Sequence, residues 1–106
     1  MRKANVLMNS VPAGILEEIE LGKSYRFLYK EDYTGDPVSL TMPIEKKVFL
    51  FNSFPPFFDG LLPEGIMLEE MLRINKIDKN DFFSQLIAVG SDMVGDVTVS
   101  EVKENE

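Results

Sequence analysis

The order of hydrophobic periods along the chain predicts an α+β fold: a small twisted antiparallel sheet, curled toward a barrel and covered by two helices. From Val6 to Met42 apolar residues tend to alternate with polar ones, as in strands. Between Pro63 and Ile87 they recur every three or four positions, as on one face of a helix. Val97, Val99 and Val102 then return to alternation. Strands, two helices and a closing strand in that order belong to the α+β class. The length, 106 residues, fits one domain spanning 1–106 and allows burial of about two-thirds of the unfolded surface.

Val6, Met8, Val11, Ile15 and Ile19 suggest a hairpin of about Asn5–Asn9 and Gly14–Ile19, punctuated by Asn9-Ser10 and Pro12-Ala13-Gly14. Leu21-Gly22-Lys23 supplies the next turn. In Ser24–Lys30, Tyr25, Phe27 and Tyr29 share one face, and alternate aromatics favour a strand with that face buried. Glu31–Pro37 reads as a polar connection, Val38–Met42 as another strand ended by Pro43, and Val48–Phe51 as either a strand or a buried connector. A helix is expected over Pro63–Asn75, with Pro63 in its first turn and Glu64 at the positive end of its dipole. Asp78 or Asn80 should cap the next helix, which carries Phe82, Phe83, Leu86 and Ile87. Gly90 should end it in a left-handed conformation. Val94–Val102 reads as the last strand and Glu101–Glu106 as a frayed end.

The residues that carry most enzyme chemistry are missing. Without histidine there is no Ser–His or Cys–His nucleophile, and without cysteine there is no disulfide, thiolate nucleophile or thiolate metal site. Neither a G-x-x-x-x-G-K-[ST] nor a G-x-G-x-x-G loop occurs, and the acids of Glu31–Asp36 lack the D-x-D-x-D-G spacing of a calcium loop. Glu17-Glu18 and Glu69-Glu70 are neighbours that diverge from one another, and are expected on solvated faces. No catalytic residue, cofactor or metal ligand is assigned. A net charge of −7 with scattered basic residues argues against direct nucleic-acid binding. No apolar run reaches the roughly 20 residues of a membrane span, and no signal peptide is recognised, so a cytoplasmic location is expected.

One stretch does not fit an ordinary connection. Phe54–Gly65 holds three phenylalanines and two leucines among three prolines, two glycines and two acids. Proline and glycine keep it out of the middle of a helix or strand. It should therefore be an irregular loop with large apolar side chains. Phe57 and Leu61 are expected to plug the core beneath the following helix, leaving the Leu62–Met67 edge turned outward toward a partner.

Phe57-Phe58-Asp59-Gly60-Leu61-Leu62-Pro63-Glu64-Gly65 resembles the FFDxLLPEG signature of the N-terminal subdomain of HipA-type serine/threonine kinases, toxins of bacterial toxin–antitoxin systems. Val38–Pro43 is similar to that family's (P)LSLSLP segment, Asp81–Leu86 to its D-x-F-x-x-L helix start, and Gly90–Val97 to its G-x-D-x-x-G-A-V turn, with Asp96 in place of a small residue. The likeness runs from Val6 to Val99. It implies a stand-alone, HipS-like copy of the first subdomain, because the ATP loop and catalytic residues of such kinases lie in later parts. It further implies an antitoxin that docks on a shortened HipT- or HipA-like kinase, with a HipB-like DNA-binding protein as a further member of the complex.

On that reading Phe58, Leu62, Pro63, Glu64, Ile66 and Met67 would face the kinase, with Phe58, Leu62, Ile66 and Met67 as apolar anchors. Phe57, Asp59, Gly60 and Gly65 would shape the loop, Asp59 by accepting hydrogen bonds from turn amides. Stand-alone relatives often carry a bulky aromatic just after LPEG; Ile66 holds that place here. The alternatives are a subunit that completes a split kinase without restraining it, and a small-ligand or peptide binder unrelated to the toxins.

Overall fold

A computed structural model describes residues 1–92 and 95–102. Five strands, β1 (Arg2–Met8), β2 (Val11–Glu20), β3 (Ser24–Tyr29), β4 (Val48–Phe51) and β5 (Val97–Glu101), form one antiparallel sheet in the order β4-β3-β2-β1-β5. Three helices accompany it: α1 (Pro56–Asp59), α2 (Gly65–Asn75) and α3 (Phe82–Val89). The fold is α+β, as expected. The sheet, however, stays open: β4 and β5 are its two edges and do not meet, so there is no barrel.

The first hairpin is longer than its sequence punctuation suggests. Asn9 and Ser10 both adopt positive φ, 51° and 69°, and make the two-residue turn whose twist suits a tight hairpin. Pro12-Ala13-Gly14 does not break the chain. It lies inside β2, where the register against β1 slips so that Val6 pairs with Gly14 and Leu7 with Pro12, leaving Ala13 as the extra residue. Proline is tolerated at such an irregularity because the ladder is already interrupted there.

One face of the sheet carries the core. Tyr25, Phe27 and Tyr29 of β3 alternate inward as expected and join Leu16, Val6, Phe49, Val99, Phe83 and Leu86 in one buried cluster. The predicted strand at Val38–Met42 is instead a turn with one isolated bridge, Ser39 to Met42. The Ser39 hydroxyl accepts from the Thr41 amide at 3.2 Å and pairs with the Thr41 hydroxyl, which offers the backbone an alternative to a ladder. The burial pattern does not alternate as in a strand: Val38 and Met42 are buried, but Leu40, which a strand would place on their face, is 95% exposed. Tyr29 ties the ends of this loop: its hydroxyl donates to the Met42 carbonyl and accepts from the Val38 amide.

Glu17 and Glu18 diverge as expected, but neither is solvated: they are 7% and 3% exposed. Glu17, on the outer face, is covered by its own ion partners, Arg26 with Nε at 2.6 Å and Lys3 with Nζ at 3.7 Å. Glu18, on the core face, accepts from Arg2 Nε at 2.6 Å, Arg2 Nη2 at 2.9 Å and the Gly22 amide at 3.0 Å. Arg2 also donates to Asp81 Oδ1 at 2.9 Å and to Ser84 Oγ at 2.8 Å, so one guanidinium joins the sheet to the start of α3. Asp81 in turn accepts from the Ser84 amide at 3.2 Å and is the true cap of α3, in place of Asp78 or Asn80. Asp78 instead accepts from the Asn80 amide in the preceding turn, which is why it looked like a cap.

Gly90 does follow α3, but it is right-handed, with φ −57° and ψ −38°, and the chain runs on into a short 3-10 turn, Gly90–Asp92. A β-carbon there would collide with the Val99 carbonyl of β5, so close approach, not a left-handed cap, requires the glycine. Of the expected last strand, Val97–Glu101 is strand, Val94 lies outside the described residues, and so do residues 103–106 of the charged end. Among the described residues no helix is long and apolar enough to cross a membrane.

Burial works to raise the Glu18 and Asp81 carboxyls, but the Arg2 guanidinium and nearby donors outweigh it and hold both below the ordinary range. Burial, then the Glu18 charge, pushes the Tyr25 phenol up to about 12. With folded carboxyl values depressed, the unfolded chain binds more protons. The stabilisation is therefore complete above the ordinary carboxyl range, about pH 4–5, and is lost as pH falls through the lowered folded values. Arg2→Ala should cost about 2 kcal/mol or more at neutral pH, since it leaves Glu18 buried without its partner. It should also flatten the acid dependence. Urea unfolding between pH 3 and 7 checks both; equal acid slopes in the two proteins would contradict the staple.

Candidate functional site

The Phe54–Gly65 segment is less irregular than its composition implies. Pro55 precedes a single helical turn, α1, with Pro56 in the first position, where a missing amide donor costs nothing. The Asp59 amide donates to the Pro55 carbonyl at 3.0 Å, Gly60 to Pro56 at 3.0 Å, Leu61 to Phe58 at 3.1 Å and Leu62 to Asp59 at 3.1 Å. A chain of backbone bonds thus winds the segment from proline to proline. Asp59 contributes its main chain to this; its side chain, expected to accept from turn amides, is exposed and makes no such bond. Gly60 is right-handed, φ −65°, so its conformation is open to other residues, whereas Gly65 sits at φ +60° and does need glycine's freedom.

Aromatic rings fasten the turn to the sheet, and they divide differently from expectation. Phe58, not Phe57, is the plug. It is fully buried, 5.9 Å from the Phe27 ring and 5.1 Å from Phe57, which lies edge-on and half-buried above it. A turn of helix sends adjacent residues to different sides, so only one of two neighbouring phenylalanines can point straight down. Phe58 therefore belongs to the core, and its expected role as a surface anchor is withdrawn. Phe54 stands edge-on to Tyr25 at 5.4 Å and against Phe82 at 5.6 Å, linking the turn to α3. Leu61 and Leu62 are half-buried against the core.

Beyond the turn the chain leaves the body. Pro63 lies before α2 rather than in its first turn, and the exposed Glu64 is its N-cap, extended at φ −128° and making no side-chain cap bond. No residue of α2 is buried. Leu68 and Leu72, with Met71 beside them, are half-buried, but Ile66 and Met67 are each 73% exposed and Ile74 is 68% exposed. The helix was expected to cover the sheet; its apolar arc is wider than the body it rests on. Met67 and Met71, one turn apart, overlook an open trough of about 570 Å³, with Leu61 and Pro63 at one end and Ala88 and Val89 of α3 across from them.

The residues expected to face a partner thus split. Ile66 and Met67 form an exposed apolar ridge, Leu62 and Pro63 are half-buried at its foot, Glu64 is exposed beside it, and Phe58 is inside. Met71, Ile74, Ala88 and Val89 join the surface without having been assigned to it. The spacing of Met67, Met71 and Ile74 did place them on one helical face, but only packing could say that the face is left open. Among the described residues no group of three or more acids could hold a metal ion.

Comparison with known proteins gives a consistent likeness. The family model described as HipA N-terminal domain matches residues 4–100. A protein of Haemophilus influenzae described as uncharacterized is 34% identical over 104 residues, covering 98% of this chain and 96% of its own. A solved structure, the N-terminal domain of HipA toxin, superposes with a TM-score of 0.78 at 31% identity, covering 98% of this chain and 95% of that one.

The division between buried ring and exposed ridge is measurable on the isolated protein. Phe58→Ala should cost about 3–5 kcal/mol of unfolding free energy, as for other fully buried rings. The double change Ile66→Asp, Met67→Asp should stay within about 0.5 kcal/mol of the parent, because both side chains are already in water. Denaturant unfolding that ranked the two the other way would contradict this placement.

Proposed function

This chain belongs to the HipA N-terminal domain family, and from that membership we propose that it is a non-catalytic docking module, a HipS-like antitoxin that binds and restrains a shortened HipT- or HipA-like serine/threonine kinase. The observation that carries the reading is the ridge of Ile66 and Met67 on a helix with nothing buried. Exposed apolar clusters of this kind mark surfaces meant for another protein. The family adds the class of partner, since its domain is the first part of a kinase toxin, and this chain matches the solved N-terminal domain of HipA toxin nearly end to end.

The physical route to restraint follows from the geometry. The aromatic turn is fixed to the sheet, so the foot of the ridge is held in place, while α2, with no residue buried, orders further on docking. A kinase must close its nucleotide loop over the phosphates to act; an apolar wedge lodged beside that loop would hold it open. Ile66 is smaller than an aromatic ring, so contact by the whole ridge, with Met67, Leu62 and Pro63, supports the block better than a single inserted side chain. Glu64 and the net charge of −7 suit a basic surface around the contact. A HipB-like DNA-binding protein is proposed as a third member, joined through the kinase.

Co-expression with a shortened HipT- or HipA-like kinase, sought in the reading frame beside its gene, tests the reading. A stable complex, rescued growth and reduced autophosphorylation of the kinase are expected. Ile66→Asp with Met67→Asp should abolish co-purification while the chain stays folded. Autophosphorylation that holds steady or rises would mark a subunit that completes the kinase, and unchanged binding by the double variant would reject this face.

A further inference from the structure

We propose that Met67 and Met71 form an oxidation-sensitive patch, so that peroxide converts the docking face from apolar to polar and releases the partner; this rests on the docking reading above. The chain has no cysteine, so thioethers are its only readily oxidised sulfur groups. Their surroundings differ sharply. Met42 is sealed in the core at 2% exposure and Met8 packs against the core cluster, while Met67 is 73% exposed. Met1 is 60% exposed but lies at the start of β1 and does not line the trough. Among the methionines of the described residues, only Met67 and Met71 line the trough, Met67 exposed and Met71 half-buried, one helical turn apart, with Ala88 and Val89 in the same lining.

The chemistry balances without help from the protein. The thioether sulfur gives an electron pair to one peroxide oxygen, the O–O bond breaks, the transferred oxygen remains as the sulfoxide, and the other leaves as water after taking the proton. A dithiol reductase reverses the step, returning the oxygen as water and leaving a disulfide. In the free protein the sulfoxide is solvated and costs nothing. On docking its strong acceptor must be stripped of water, and the trough offers it little in return. Leu61, Pro63, Ala88 and Val89 have no side-chain donors, and the Asn75 amide already donates to the Met71 carbonyl at 2.9 Å. Each sulfoxide should therefore weaken docking by about tenfold.

The test treats this chain alone with hydrogen peroxide, removes the oxidant, and measures binding to the untreated kinase that co-purifies with it. Peptide masses should show one added oxygen on Met67 and Met71 sooner than on Met8 or Met42. Affinity should fall by about tenfold or more and return after treatment with both methionine sulfoxide reductases. Met67→Leu with Met71→Leu, compared before and after peroxide against its own untreated form, should lose the sensitivity. Binding by oxidised parent within about twofold of untreated parent, or equal sensitivity in the leucine variant, overturns the proposal while leaving docking intact. Absence of binding by the untreated parent would instead overturn the docking reading and this inference with it.

Discussion

Phe58 pins the proline-rich turn to the sheet, and the shape of the molecule follows from that contact. Its ring lies at full depth between Phe27 of the central strands and Phe57 above. The helix that follows buries no residue fully. α2 rests on Leu68 and Leu72 and carries Ile66, Met67 and Ile74 in water. An exposed ridge is ordinarily a liability. Here it is the surface proposed for docking, in a chain without histidine or cysteine.

The second constraint is ionic, and it meets the aromatic turn through Tyr25, whose hydroxyl donates to Glu18 and whose ring stands against Phe54. Arg2 gathers Glu18, Asp81 and Ser84, so the first strand, the second strand and the cap of α3 are fixed by one side chain. Buried charge pairs are specific before they are stabilising, because a partial set is worse than none. This one sets where α3 starts and, through Gly90 packed on Val99, where β5 must lie. Together the ring and the guanidinium hold α1 and α3 rigidly and leave only α2 uncommitted.

Much of this was readable from residue patterns. Tyr25, Phe27 and Tyr29 announced a buried strand face, and the change to a helical period placed α2 and α3 within a residue or two. The misreadings share a cause: local chemistry with two structural outcomes. Pro12-Ala13-Gly14 can end a strand or bulge within one, and pairing with β1 decides. Asp78 and Asp81 can both cap, and the Arg2 side chain, 79 positions before Asp81, selects one of them. Gly90 can supply a left-handed cap or a close approach, and only the carbonyl of Val99 distinguishes them. The proposed docking surface was half legible for the same reason: Ile66 and Met67 were marked by the motif around them, whereas Phe57 and Phe58 are the same residue type in adjacent places, and which one turned inward depended on the helical turn begun at Pro56.

The central claim is that α2 rests lightly on the core with its outer apolar residues free, as a surface proposed for a kinase. Amide hydrogen exchange, with and without the kinase proposed as its partner, tests this most directly. The account predicts that in the free protein the amides of Leu68–Asn75 exchange well before those of β2 and α3, and that the kinase slows them strongly while leaving the sheet unchanged. Protection of α2 equal to that of α3 in the free protein, with no change on adding the kinase, would contradict it.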